Sequence, residues 1–313
     1  MKNTDKILKL ICGAGNEDFE EIEKLSFIYA SAGFNMIDTS ACIEAVNAVK
    51  EGIKKAGKEG QVKICVSIGL QGDIHVSKAV IDETKCAACG KCAQICPQNA
   101  VIETGSRFFI DEKKCIGCGK CIKICLNRAV KAENKYSAPE KMLLPLLNAG
   151  IDCVEFHCTS ENENEILESW EKIKSIYSGQ LSICMNRLKL GDERIISLLK
   201  RMTEGMKDVI IQADGNPMTG GKDDYKSNLQ AAAFAELIIN SKINAEIILS
   251  GGTNSKTAEF ARLCSLDISG IAIGSYARKL VKEYTKDKNF MLNTELQRRA
   301  VLKASQLAEK INN

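Results

Sequence analysis

VKICVSIGLQGDIHVSKAVIDETKCAACGKCAQICP, residues 62–97, joins two kinds of sequence in one run. VKICVSIG (62–69) is a short apolar stretch with β-branched residues, closed by glycine, and reads as a buried strand. The run then ends in four cysteines spaced by two, two and three residues. The fold follows from what lies on either side. Upstream, ILKLICGA (7–14) and NMIDTS (35–40) read as strands, with helices predicted over 17–32 and 42–56. Downstream, after the cysteines, a helix is predicted over 139–149. Strands DCVEFHCT (152–159), LSICMN (181–186), DVIIQADG (208–215), AEIILSGG (245–252) and GIAIGS (270–275) then alternate with helices over 161–177, 192–203, 224–240 and 255–264, and a terminal helical region follows.

Eight strand–helix units of this size predict an α/β fold, a (β/α)8 TIM-like barrel. A doubly wound sheet is the alternative, because spacing alone does not prove closure. The expected division is 1–70 for the first three barrel strands, 71–135 for an insert after strand three, and 136–313 for the rest of the barrel and the C-terminal helix. An insert after a barrel strand sits on the C-terminal face, where such barrels keep their active sites.

The insert carries the strongest motif. Cys86, Cys89, Cys92 and Cys96 follow C-x2-C-x2-C-x3-C with Pro97 next; Cys115, Cys118, Cys121 and Cys125 repeat the spacing, with Leu126 in the proline position. This is the two-cluster ferredoxin run, in which three thiolates of one loop turn onto a single cubane and the fourth cysteine serves the other cluster. Cys86, Cys89, Cys92 and Cys125 are therefore expected to hold one [4Fe-4S] cluster, and Cys115, Cys118, Cys121 and Cys96 a second. Zinc is the alternative for paired C-x2-C. A duplicated set of three cysteines plus a fourth suits it poorly. Segments 101–114 and 129–134 are expected to cover the clusters as short strands.

Composition narrows the rest. The 313 residues are 45% hydrophobic and 27% charged, with 43 basic and 40 acidic residues mixed along the chain, so neither a basic arm nor a charge block points to nucleic acid. No apolar run approaches the ~20 residues that span a bilayer. The N-terminal stretch lacks a signal-peptide core, so a cytoplasmic location is expected. Fifteen cysteines in so large a chain do not imply a disulfide scaffold.

Polar residues at the strand ends are the remaining candidates. Asp38, His157, Asn186 with Arg187, and Asp214 stand where barrel chemistry is done, with His157 as a general acid or base. Asp38 and Asp214 equally suit helix caps. Ser250, Gly251, Gly252 and Thr253 after strand seven, and Gly274 and Ser275 with Tyr276 and Arg278 after strand eight, suit a phosphate cradle. If a phosphate binds there, flavin mononucleotide (FMN) or a phosphorylated small molecule is the expected ligand; otherwise the glycines serve tight turns. The run DGNPMTGGKDD reads as a lid or binding segment. His75 reads as a solvated loop residue. Cys12, Cys65, Cys153 and Cys184 read as buried small residues, while Cys158, beside His157, is the candidate reactive thiol.

KLICGAGNEDFEEIEKLSFIYASAGFNMIDTSA, QADGNPMTGGKDD, LSGGTNSKTAEFARLC and GIAIGSYARKLV resemble the LdpA family, iron–sulfur proteins named for light-dependent period control in cyanobacteria. The resemblance runs across most of the chain, the cysteine insert included. It implies a redox-sensing iron–sulfur protein and maps the eight insert cysteines onto the family's cluster ligands. Three functions are thus expected in competition: an iron–sulfur protein that senses or relays electrons with a redox partner protein, an oxidoreductase with a small-molecule ligand in the barrel, and a docking protein regulated by cluster state.

Overall fold

The computed structural model describes residues 6–13, 15–71, 73, 76–216 and 221–312. His75 and residues 217–220 of the DGNPMTGGKDD run lie outside the described residues. In chain order the elements are β1 (Ile7–Ile11), α1 (Phe19–Ser31), β2 (Met36–Ser40), α2 (Ile43–Lys55) and β3 (Lys63–Gly69). The insert follows with β4 (Ser77–Ile81), α3 (Lys91–Ile95), β5 (Val101–Thr104), β6 (Arg107–Ile110), α4 (Lys120–Ile124) and β7 (Val130–Asn134). The chain then runs through α5 (Pro139–Leu143), β8 (Cys153–His157), α6 (Glu163–Ile176), β9 (Gln180–Met185), α7 (Asp192–Thr203) and β10 (Val209–Asp214). It finishes with α8 (Leu229–Asn240), β11 (Glu246–Ser250), α9 (Thr257–Leu263), β12 (Gly270–Ile273), α10 (Ser275–Thr285) and α11 (Thr294–Asn312).

The strands close in the order β1-β12-β11-β10-β9-β8-β3-β2, every pairing parallel. The fold is an eight-stranded TIM-like barrel, and the doubly wound alternative is excluded by closure. Alternation along each strand divides the apolar residues into two shells. Outward residues such as Leu8, Leu10, Val154, Phe156, Ile211 and Leu249 pack with the helices in one large core. Inward residues Met36, Cys65, Cys153, Ile210, Ile248 and Ala272 fill the floor of the lumen. The cysteines expected to be buried are buried.

The predicted helix 139–149 is cut short. After α5 the chain tightens into a 3₁₀ turn over Leu144–Leu146. Pro145 has no N–H to donate, and its ring crowds the carbonyl four residues back. Strand β4 was not foreseen, because it forms only by antiparallel pairing with β7, far along the chain. The predicted covering strands appear as the β5–β6 hairpin and β7.

The insert repeats its own backbone. Ala88 and Gly117, Gly90 and Gly119, and Asn99 and Arg128 all adopt positive φ at matching points of the two halves. Gly90 and Gly119 are the residues that open α3 and α4. The insert is tied to the barrel at several points. Glu17 N–H donates to the Lys113 carbonyl at 2.9 Å, while within the insert Lys135 N–H closes the stem on the Val76 carbonyl at 2.8 Å. Buried Lys78 donates through Nζ to the carbonyls of Gly15 and Cys115 at 2.5 and 2.9 Å. Lys282 Nζ reaches the Pro97 carbonyl at 2.5 Å.

Candidate metal centres and the barrel mouth

The insert brings its cysteines together in two groups. Cys86, Cys89, Cys92 and Cys125 line one cavity of about 140 Å³, with Ile81, Phe108 and Val130 among its apolar walls. Cys115, Cys118 and Cys96 lie near enough to Cys121 for their charges to act on it, which makes these four a second group. Each group therefore contains three cysteines of one loop and the fourth of the other. The folded backbone also suits thiolates. Ala79 N–H donates to Cys115 Sγ, Ala100 N–H to Cys96 Sγ and Ala129 N–H to Cys125 Sγ, each at 3.3 Å. An amide aimed at sulfur stabilises the charged form and tunes a bound cluster. The donor set thus fits two iron–sulfur clusters: all-sulfur, fourfold, apolar-walled and amide-bonded. The second group lies on the barrel side, beside Pro97 and Lys78; the first faces outward, where Cys89 is exposed.

Inside the barrel, above the apolar floor, sits a polar layer that the sequence reading missed. Lys9 Nζ pairs with Glu155 Oε2 at 2.5 Å and donates to Gln212 Oε1 at 3.1 Å, all three side chains buried. Ser182 Oγ donates to Glu155 Oε2 at 2.9 Å, and Gln212 Nε2 to Glu155 Oε1 at 3.0 Å. Ser67 Oγ donates to Asp38 Oδ1 at 2.5 Å. The signal was present as single polar residues at the inward positions of apolar strands, namely Lys9 in ILKLI, Glu155 in CVEFH and Gln212 in VIIQAD.

His157 stands between two carboxylates, with Nδ1 3.3 Å from Asp73 Oδ2 and Nε2 3.2 Å from Glu155 Oε1. Burial opposes its charge, but the bonds to Asp73 and Glu155 outweigh burial and hold its pKa well above the usual imidazole range. Burial pushes Asp38 and Asp214 each up to about 6, against the pull of Lys9 on the first and of His157 on the second. The four residues singled out at strand ends thus converge: Asp38 and Asp214 each feel Glu155 and His157, and Asn186 hydrogen-bonds Asp214. Neither aspartate caps a helix, since α2 starts after Cys42 and α8 after Asn228. Arg187 turns aside into a two-point pair with Asp192, at 2.7 and 2.5 Å.

This arrangement sets a pH dependence. A group whose folded pKa is raised contributes stability below its unfolded pKa and loses it as pH rises through the folded value. For Asp38 and Asp214 the loss is complete soon after pH 6. For His157 it starts near the ordinary value of about 6.5 and continues above it. Stability is expected to decline from pH 7 to 9, and His157→Gln to flatten that decline. Urea midpoints of anaerobic protein at matched iron content test this; a pH-independent wild type over that range would refute it.

Glu155, His157 and Cys184 present three ligand atoms within 4.8 Å of one another. A metal there is disfavoured because the Gln212 amide already donates to both Glu155 and Cys184, the latter at 3.3 Å. Cys158, the expected reactive thiol, is corrected: burial, then the charges of Asp73 and Glu155, push its pKa well up, so it stays a protonated thiol.

The loops expected to cradle phosphate are engaged with the protein. Ser250 Oγ donates to Asp214 at 3.1 Å and Thr253 Oγ1 to the Ala272 carbonyl at 2.6 Å. Gly251 has φ +69° and a Cβ there would lie 2.2 Å from Asp214 Oδ1, so this glycine serves the close approach of two loops. Gly252 shares the positive φ, at +93°. Gly274 precedes α10 and packs against Ile11. Ser275 lines a cleft. No observation supports FMN on the glycine loop.

That cleft, of about 830 Å³, is walled on one side by Pro97, Ile116 and Cys118 of the insert and on the other by Asn216, Ser275 and Arg278 of the barrel. No helix among the described residues is long and apolar enough to cross a membrane.

The 4Fe-4S dicluster domain family matches residues 78–126, and the Light dependent period A C-terminal domain family matches residues 145–311. The chain is 28% identical over 292 residues to Light dependent period A of Synechococcus elongatus, covering 88% of this chain and 81% of that protein. Among solved structures, the YdjI aldolase of Escherichia coli K12 superposes with a TM-score of 0.50 at 8% identity, covering 98% of this chain and 89% of that one, a likeness of fold alone. With its C-terminal domain matched over more than half the chain and its cysteine insert matched separately, this protein is an iron–sulfur protein that belongs to the Light dependent period A family.

Proposed function

We propose that the protein relays electrons between an external redox partner and the mouth of its barrel, reporting or using the redox state there. Two [4Fe-4S] clusters, when bound, supply one-electron storage and transfer. The chain holds them with Cys86, Cys89, Cys92 and Cys125 at the outer centre, and Cys115, Cys118, Cys121 and Cys96 at the inner one. The observation that carries the reading is the shared cleft, in which Cys118 and the barrel residues Asn216 and Ser275 line one space. Exposed Cys89 offers the partner its approach at the other end. All fifteen thiols are unpaired, which suits a reducing cytoplasm.

A second reading is turnover of a small molecule in the barrel. It is favoured by the ionised layer of Lys9, Glu155 and His157 under the mouth, which a pure carrier does not need.

Potentiometric titration of anaerobically purified protein, followed by paramagnetic resonance, tests the relay. About eight irons per chain and two centres that reduce and reoxidise reversibly are expected. Protein that holds this iron but cannot be cycled would refute it. Small molecules released on denaturation, identified by mass spectrometry, discriminate turnover of an organic cofactor from relay alone.

A further inference from the structure

The cleft between insert and barrel has a charge pattern that the relay does not require. Its walls carry Lys120, Lys222, Lys226, Arg278, Lys279 and Lys282, against the single carboxylate of Asp224. Asp224 is itself occupied, accepting from Ser227 N–H at 2.9 Å. Two of the lysines are held by neutral partners: Lys279 donates to the Gly221 carbonyl at 2.8 Å and Lys282 to that of Pro97 at 2.5 Å. Those bonds fix the ammonium groups without cancelling their charge. Among the described residues, none of the five lysines stands within 4.0 Å of a carboxylate, whereas the surface lysines Lys55 and Lys135 do.

Arg278 adds a buried donor. Its side chain is 9% exposed and its terminal nitrogen bonds the Cys12 carbonyl; its Nε forms an ion pair with Glu21 Oε2 at 3.4 Å but makes no hydrogen bond. Helix α10 begins at Ser275 on the same wall, and no side chain caps its first turn. The positive end of its dipole therefore opens into a space already rich in cations. The volume lies within the range of small-molecule sites.

We propose that this cleft binds a small, multiply charged oxyanion, an organic phosphate or polycarboxylate, against the inner cysteine group. The site differs from the glycine loop after β11: its donors are the face of α10, the Lys222–Lys226 segment and Lys120 of the insert. It deepens the relay reading by naming the class of molecule that meets the inner centre. Cations on the barrel wall are placed for a ligand; cations serving only the charge of a cluster would gather on the insert. Lys222, Lys226 and Lys279 are on the barrel.

Isothermal titration of the anaerobic, iron-loaded protein at constant ionic strength tests this with two probes, pyrophosphate and citrate. One saturable site per chain is expected for at least one probe, and the preferred probe assigns phosphate or carboxylate. Lys222→Gln with Lys279→Gln should weaken that probe about tenfold or more, while Lys200→Gln, on the outer face of α7, should not. Bound probe should also shift the resonance signal of the reduced inner centre. Absence of saturable binding by both probes, or equal weakening by Lys200→Gln, would overturn the proposal. The relay reading fails separately, on cluster cycling measured with no anion added.

Discussion

Lys9→Met is expected to lower the stability of the folded chain by about 3–5 kcal/mol, the usual consequence of removing one partner of a buried ion pair. Lys9 is fully enclosed, and its ammonium places a full positive charge on Glu155 Oε2, supported there by the Ser182 hydroxyl. Without it, Glu155 keeps the donors Gln212 and Ser182 and the His157 imidazolium on Oε1, but loses the counter-charge on Oε2. The carboxylate, now held well below its usual pKa with Lys9 as the main favourable cause, would rise instead. The variant should then gain relative stability as pH falls, because a raised acid favours the native state below its folded pKa. The loss is a large share of the about 5–15 kcal/mol that keeps a domain folded. Lys9→Met with Glu155→Gln should recover much of it, since a neutral amide keeps the hydrogen bonds without the bare charge. Urea unfolding of the three proteins measures this. A loss under about 1 kcal/mol in Lys9→Met would mean that the pair contributes no more than a surface contact.

The second large effect concerns the cysteine groups. Cys125→Ser is expected to remove the outer centre, the one formed with Cys86, Cys89 and Cys92, and to leave the inner one intact, although Cys125 lies only four residues from Cys121. Cys125 lines the same cavity as Cys86, Cys89 and Cys92. Iron should fall from about eight to about four per chain, with one of the two resonance signals lost. Cys96→Ser should do the converse. Loss of the inner signal in the Cys125 variant would reverse the ligand assignment. The test reads iron and spectra, so it holds whether or not the protein has turnover.

The sequence and the structure agree where a signal is local. The cysteine spacing depends on a single tight loop and its glycines, and both loops fold with the same positive-φ glycines, Gly90 and Gly119. Strand alternation gave the barrel because each strand buries both faces. The polar layer was legible only in part. Asp38, His157, Asn186 and Asp214 stand out at strand ends, but Lys9 and Glu155, inside apolar strands, were not singled out. Their meaning depends on pairing across the lumen between residues 146 positions apart, which no local window contains. The glycine loop after β11 misled for the opposite reason. Ser250, Gly251 and Thr253 have the residue types of a phosphate cradle, yet their hydroxyls face protein acceptors and the glycine makes room for Asp214. The cleft was illegible because it requires α10, the chain after β10 and the insert to be neighbours.

The stem formed by β4 and β7 separates two assembly problems. The chain leaves the barrel and re-enters it at adjacent points, with Val76 bonded to Lys135. The strands on either side, β3 and β8, are direct neighbours in the sheet. From the barrel's standpoint the insert is therefore one connection with its ends pinned, and lengthening such a connection adds closure entropy only logarithmically. Barrel closure and iron acquisition can then proceed as separate events. The polypeptide can be complete in shape before its metal arrives, and damage to a cluster by oxygen can be repaired by reloading without rebuilding the fold around it. The same geometry makes residues 77–134 a cassette that a short linker could replace, giving a metal-free barrel as a direct control for every property assigned to the iron.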